Sequence, residues 1–330
     1  MMGAALEHFK NCNYTYPSFP NVSKNYDYIS ENISTHNFSE NGREESFVVH
    51  VPEVISIPLL VICIFGVLGN GIVIWLLGFR IKRNPFITYI LNLAVADFGV
   101  LLSVIVELLS LRFISSSVFL NIYKVFFFLS LAMYSASQFL LTAISIDRCV
   151  AVFFPFWHQC KRPPRSSTIV CALTWALSIL LTAMTIAFTH FNPWEKNIGS
   201  FCQLILNAVL CLPVMTIAAM ALFLKVCLKE QQHRRGKLLT VVCLTLLFFL
   251  LFAFPYNVIS ILSGFNHVSV NIKRVAALLI CLNSGVNPVV YFLVGKPWKS
   301  RSRESMKIIL QKVFKEDKSC TEDTQLESWV

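Results

Sequence analysis

Asp147 and Arg148 stand side by side where a long apolar run ends, in Ser145-Ile146-Asp147-Arg148-Cys149. An acid and a base at a helix end neutralise each other cheaply, and a guanidinium released from that pair offers several N–H donors to backbone carbonyls. Asp97 lies deeper in apolar sequence, and an ionisable group there is costly unless it does something. Asn70, Ser137, Asn283 and Ser284 fall at similar depth in other runs. A carboxylate among hydroxyl and amide oxygens serves either as a structural hydrogen-bond hub or as a site for a hard monovalent cation, Na+, with water. Glu107 follows Asp97 by ten residues, about 80° off alignment at 100° per residue. It is either paired internally, with Lys124 or Arg112, or poised for a cationic ligand. None of this is catalytic chemistry. There is no nucleophile with a base at a plausible spacing and no His/Cys cluster for a metal, and His190 and His267 stand alone at loop ends.

The elements that carry these residues are apolar runs. The chain is 55% hydrophobic and 14% charged, with 28 Phe, where a soluble domain carries about 25% charged residues. Uncharged runs cover 54–79, 125–146, 166–193, 197–224, 238–272 and 275–295, and a seventh, 84–111, is broken by Asp97 and Glu107. A bilayer core of about 30 Å needs roughly 20 helical residues, so each run can span. The run 238–272 is too long for one span, and Ser263-Gly264-Phe265-Asn266 marks a helix ending in a loop. The fold class is therefore an all-α membrane protein, a bundle of seven transmembrane helices. A transporter would show internal repeats with broken helices in matching halves, and no such repeat is visible.

An odd number of spans puts the termini on opposite sides. Sequons begin at Asn13, Asn21, Asn32 and Asn37, which marks residues 1–52 as an extracellular, glycosylated tail. Of 28 Lys and Arg, 20 flank the other side, so the net charge of +10 is a topology signal rather than a sign of nucleic acid binding. The bundle then occupies 53–296. The opening MMGAALEHFK lacks an apolar core, so the first span is expected to act as the insertion signal.

Gly69-Asn70, Leu93-Ala94-Val95-Ala96-Asp97, Asp147-Arg148-Cys149, Trp175, Pro213, Pro255 and Asn287-Pro288-Val289-Val290-Tyr291 resemble, in order and spacing, the signatures of rhodopsin-class G protein-coupled receptors. GFRIKRNPF, AISIDRCVAVFFPFWHQCKRP, VCALTWALS, NSGVNPVVYFLVG and ESMKIILQKVFKED look more narrowly like a Mas-related receptor. The resemblance covers about residues 60–318 and neither tail.

It implies a plasma-membrane receptor that binds an extracellular peptide or small basic or amphipathic compound and activates heterotrimeric G proteins. A chemosensory-type or ligand-independent receptor is the alternative. Arg148, held by Asp147, is implied to meet the C-terminal helix of a Gα subunit, and Phe156 to dock into an apolar pocket of the G protein. Lys161, Arg162 and Arg165 are expected to anchor to anionic lipid. Pro288, like Pro213 and Pro255, removes a backbone donor, and Asn287 is expected to bond the freed carbonyls. Tyr291 completes that switch. Ser130 stands where amine receptors carry an acid, and Cys281 where retinal proteins carry a lysine. By resemblance Ser130, Tyr134, Tyr256 and Asn257 line a cavity with Glu107, and helix packing is the alternative role for the two tyrosines and the asparagine.

The chain also departs from the pattern. Tyr123 replaces the cysteine that usually starts the third helix, and Ala253 the tryptophan two before Pro255. Mas-related receptors often bridge helices four and five, and here Cys202 offers one half but Ala187–His190 no other. Cys202 either pairs with Cys12 or stays a free thiol. No acid follows Arg234-Arg235 in the sixth run to clamp Arg148 to that helix, so basal signalling is expected.

The chain ends on the basic side. Trp298, Met306, Ile309, Leu310, Val313 and Phe314 fall at helical spacing between Lys and Arg, which predicts a short amphipathic helix over 297–315 lying on the lipid surface. In the tail, 316–330, Cys320 is a candidate palmitoylation site. Ser300, Ser302, Ser305, Ser319, Thr321 and Thr324 are candidate sites for receptor kinases and arrestins. Ser328-Trp329-Val330 resembles a ligand for a PDZ domain.

Overall fold

The computed structural model describes residues from Glu53 to Gly295, apart from short stretches at 83, 112–115, 157, 159, 161, 164, 192–197, 229–235 and 266–269, together with Lys307 and Leu310. The chain runs through α1 (Glu53–Trp75), α2 (Pro85–Leu111), α3 (Ser117–Phe153), α4 (Ser166–Phe191), α5 (Ile198–Leu228), α6 (Gly236–Phe265) and α7 (Val270–Gly295). Among the described residues seven helical segments are long and apolar enough to cross a membrane. The last turn of α1 widens into a π-helical turn, Leu76–Arg80, where the Arg80 guanidinium lies 5.2 Å from the centre of the Trp75 ring.

Two boundaries differ from the sequence reading. α3 begins at Ser117 rather than Val125 because Lys124 is exposed and does not interrupt the helix. A long aliphatic stem lets such a lysine sit near a membrane interface. α6 runs on to Phe265, through the serine and glycine expected to end it.

Each helix presents one stripe inward and one outward. In α1 and the π-helical turn after it the exposed apolar residues are Ile57, Val61, Ile64, Phe65, Leu68, Ile72, Trp75 and Phe79, a helical repeat facing lipid. The longest helix, α3, packs against α2, α4, α5 and α6, while α1 closes against both α2 and α7. Gly66 sets that last contact. A Cβ there would come within 3.1 Å of the Gly285 Cα, so α1 and α7 meet backbone to backbone.

The core falls into two apolar clusters. One, around Phe86, Leu141, Ile144, Phe249 and Tyr291, lies toward Arg148, and Leu310 of the expected surface helix is buried in it. The other, around Cys63, Val104, Tyr134 and Cys281, lies toward Glu107. The rest of the predicted helix 297–315 apart from Lys307, and Cys320, the tail and the sequons at Asn13, Asn21, Asn32 and Asn37, lie outside the described residues.

Candidate functional site

Between the clusters sits a polar layer. Asp97 is fully buried, and Ser137 of α3 donates to its Oδ1 at 2.8 Å while Asn287 Nδ2 of α7 donates to its Oδ2 at 2.7 Å. Ser284 stands beside the same carboxylate with its Oγ outside hydrogen-bonding geometry. The Oδ1 of Asn70 and the Nδ2 of Asn283 are buried without a hydrogen-bond partner. A carboxylate with hydroxyl and amide oxygens to spare fits a small hard cation, which takes oxygen ligands. Of the five residues expected to form this network, only Ser137 bonds Asp97 directly, while Ser284 stands beside the carboxylate and its carbonyl is held by Asn70.

Asn287 does not do what the sequence suggested. Pro288 has no N–H, so the carbonyl of Ser284, four residues earlier, loses its helical partner. That carbonyl is taken by Asn70 Nδ2 of α1 at 3.1 Å, and the same amide also reaches Gly66 O at 3.0 Å. Asn287 is thereby left to serve Asp97. The α7 break is mended from a neighbouring helix, which the α1–α7 approach at Gly66 makes reachable.

At the far end of α3, Arg148 is 4% exposed. It grips Asp147 through Nη2, and its Nε donates to Asp147 Oδ2 at 3.1 Å. The Phe86 ring lies 4.4 Å from its guanidinium carbon. The other carboxylate oxygen, Oδ1, is 2.8 Å from Arg162 Nη2. Arg162 is thus an ion-pair partner with a side chain only 10% exposed, and its expected role as a lipid anchor is wrong. Phe156, by contrast, stands out as expected, 70% exposed. Just inside Arg148 a small apolar cavity is lined by Phe86, Ile144, Val241, Thr245, Leu246 and Tyr291. Tyr291 therefore has a void beside it.

Residues 69–291 match the family model of the seven-transmembrane receptors of the rhodopsin family. The chain is 34% identical to the proto-oncogene Mas of Rattus norvegicus, over 76% of this chain and 81% of that one. It is 38% identical to Mas-related G-protein coupled receptor member H of Mus musculus, over 78% and 82%. With member F of Homo sapiens it shares 33%, over 83% and 82%. The chain belongs to the rhodopsin-family receptors, among the Mas-related G protein-coupled receptors. It is a receptor and not an enzyme.

At the opposite end of the bundle the receptor carries the expected pocket residues close together. Ser130 lies beside Glu107, though its hydroxyl donates to Phe127 O at 2.9 Å. Tyr256 and Cys281 lie within electrostatic reach of the same carboxylate. Glu107 Oε1 is buried with no hydrogen-bond partner. Lys124 is exposed and forms no ion pair with it, so that internal pairing fails, and Arg112 lies outside the described residues. Tyr134 and Tyr256 meet edge to face with ring centres 5.0 Å apart, and Asn257 Nδ2 donates to the Tyr134 hydroxyl at 3.1 Å. Cys202 is exposed with a free thiol, while Cys12 lies outside the described residues.

The receptor also contains a polar cluster that the sequence reading missed. Gln203 Nε2 of α5 donates to Ser135 Oγ of α3 at 2.9 Å and to Thr182 Oγ1 of α4 at 3.0 Å, and its Oε1 accepts from Thr185 Oγ1 at 2.8 Å. Asn207 adds a second bond to Ser135 at 2.7 Å. The signal was there. Ser178, Thr182 and Thr185 form a hydroxyl stripe along one face of α4, and Gln203 and Asn207 are one turn apart on α5. Nearer the middle, Trp175 Nε1 donates to Asn92 Oδ1 of α2 at 3.0 Å.

Proposed function

We propose that the receptor is driven by an extracellular ligand with a cationic group, a basic peptide or a small basic amphipathic compound, seated against Glu107. The observation that carries this reading is the buried, unpartnered Oε1 of Glu107. A carboxylate oxygen held out of water without a donor is an unfavourable state that an incoming ammonium or guanidinium relieves. Ser130 and Tyr256 lie beside that carboxylate, and Tyr134 and Asn257 are buried behind Tyr256, where they brace it. The amino-terminal tail, with sugars on Asn13, Asn21, Asn32 and Asn37, then lies outside the cell and the carboxyl terminus in the cytosol, as the basic-residue distribution supports.

At the cytosolic end Arg148 leaves Asp147 and donates to backbone carbonyls of the Gα C-terminal helix, with Phe156 seated on the G protein. Pro288 gives α7 its flexible point and Pro255 gives α6 its own. A Na+ ion held by Asp97, Ser137 and the free Asn70 oxygen favours the closed bundle. Receptor kinases and arrestins act on the hydroxyls of the tail, Cys320 takes an acyl chain, and the terminal carboxylate suits a PDZ domain.

The test is a screen of basic peptides on cells bearing the full receptor. Glu107→Gln keeps the shape and removes the charge, and should weaken agonist potency by one to two orders of magnitude, about 1.4–3 kcal/mol. Equal potency on receptor and variant would remove Glu107 from the ligand site.

A further inference from the structure

We infer that Arg162 is the standing counter-ion of Asp147, the positioning residue that allows Arg148 to leave its acid when a G protein binds. This rests on the role given to Arg148 above. Two guanidiniums share one carboxylate. Arg148 holds Oδ2, and Arg162 holds Oδ1 at 2.8 Å. The Asp147 side chain is only 9% exposed, so it is poorly served by water. A carboxylate stripped of its cation in such a place is strongly disfavoured. With Arg148 as sole partner, opening would carry that full penalty. With Arg162 in place, Asp147 stays paired after Arg148 departs, and the mutual repulsion of two cations on one acid loosens Arg148 beforehand.

Arg162 is fixed independently of Arg148. Its Nε donates to Ser166 Oγ at 2.9 Å and its Nη2 lies 3.4 Å from Ser167 Oγ, both on the first turn of α4. Its Nη1 lies 2.8 Å from His158 Nε2. An arginine has no acceptor, so in this contact the guanidinium is the donor. His158 is therefore a prop for Arg162. Its 3.6 Å separation from Asp147 Oδ1 is too long for a hydrogen bond. The turn bearing His158 is itself tied by its N–H to Phe154 O at 3.0 Å. Tyr89 of α2 is a further titratable neighbour, within electrostatic reach of Asp147, Arg162 and Arg148.

The sign of the effect separates this from a simple lock. A lock predicts that removing Arg162 frees the receptor, whereas a standing counter-ion predicts that it silences it. The experiment places the full-length receptor in nanodiscs and measures its affinity for the nucleotide-free G-protein heterotrimer that it binds most tightly, without ligand. Arg162→Gln is expected to weaken capture by about tenfold, within the usual range of coupling between sites. Arg162→Lys keeps the charge but loses the His158 and Ser166 contacts, and should recover most of the affinity. In an Asp147→Asn background there is no charge to compensate, so Arg162→Gln should do nothing further. Tighter capture by Arg162→Gln overturns the inference in favour of a lock. An undiminished loss in the Asp147→Asn background, or no rescue by lysine, overturns it in favour of a structural role. Arg148→Ala reports separately on the underlying reading, since unchanged capture there removes Arg148 from the interface whatever Arg162 does.

Discussion

Asn257 of α6 donates to the hydroxyl of Tyr134 on α3 at 3.1 Å, and this bond ties the two helices toward the Glu107 end of the bundle. Its amide also reaches back to Ala253 O at 2.8 Å, across the Pro255 break. Ala253, two residues before Pro255, is small and fully buried, and the Asn257–Tyr134 bond is a polar contact between α6 and α3 one turn beyond it. Tyr134→Phe keeps the ring and its edge-to-face contact with Tyr256 but removes the acceptor. It should cost about 1 kcal/mol of stability and raise ligand-independent nucleotide exchange. Melting of the purified receptor and exchange in membranes report the two effects. A variant with unchanged exchange would make the bond a passive one.

The mending of α7 from α1 yields a sharper test. Asn70→Leu leaves the Ser284 carbonyl without a donor and should cost about 1–3 kcal/mol. Pro288→Ala restores the backbone N–H that this carbonyl lacks. In the Pro288→Ala background, then, Asn70→Leu should cost clearly less than in the parent receptor. Additive losses in a four-member thermal-stability cycle would show that Asn70 acts through something other than that carbonyl.

Residues out of keeping with their surroundings were legible in the sequence. Asp97 in an apolar run could only be a polar centre, and Asp147-Arg148 at a run's end could only be a pair facing polar surroundings. The number of helices followed from the apolar runs, while the start of α3 and the end of α6 did not. What stayed hidden was pairing across helices. Arg162 sits among Lys161 and Arg165, and nothing in that basic run tells which side chain turns inward toward Asp147. Asn70 and Asn287 are alike as amides, and only the rotation of α1 against α7 decides which one meets the carbonyl freed by Pro288. Glu107 was recognised, but the choice between a lysine partner and no partner depended on Lys124 pointing outward.

The polar layer predicts a salt effect with a chosen ion. If Na+ joins Asp97, Ser137 and Asn70, replacing NaCl by N-methylglucamine chloride at equal ionic strength should raise ligand-independent exchange. Asp97→Asn should abolish that difference, because the neutral amide leaves no charge to hold the cation. Exchange in native membranes across the two salts measures it. Equal salt response in receptor and variant would place the ion elsewhere.

The joint between α4 and α5 is fastened by polar side chains and a close backbone approach. Thr185 donates its one O–H to Gln203 Oε1 at 2.8 Å and has Gly199 O within reach at 3.2 Å as an alternative acceptor, so one threonine fastens the start of α5. Gly199 permits this, since a Cβ there would lie 2.9 Å from the Thr185 carbonyl oxygen. Gln203→Leu removes bonds whose hydroxyl partners each keep a second contact, Thr182 to Ser178 O at 3.0 Å and Ser135 to Leu131 O at 2.9 Å. Its cost should therefore be modest, about 1–2 kcal/mol. Gly199→Ala forces a methyl against backbone that cannot turn aside, and overpacking of that kind costs about 1–3 kcal/mol. The smaller chemical change is thus expected to be at least as damaging as the larger one, because it pries the helices apart while Gln203→Leu only leaves them less well tied. Surface expression and melting temperature of the two variants give the order. A Gly199→Ala receptor as stable as the parent would mean that α4 and α5 are not held as closely as the Thr185 contact requires.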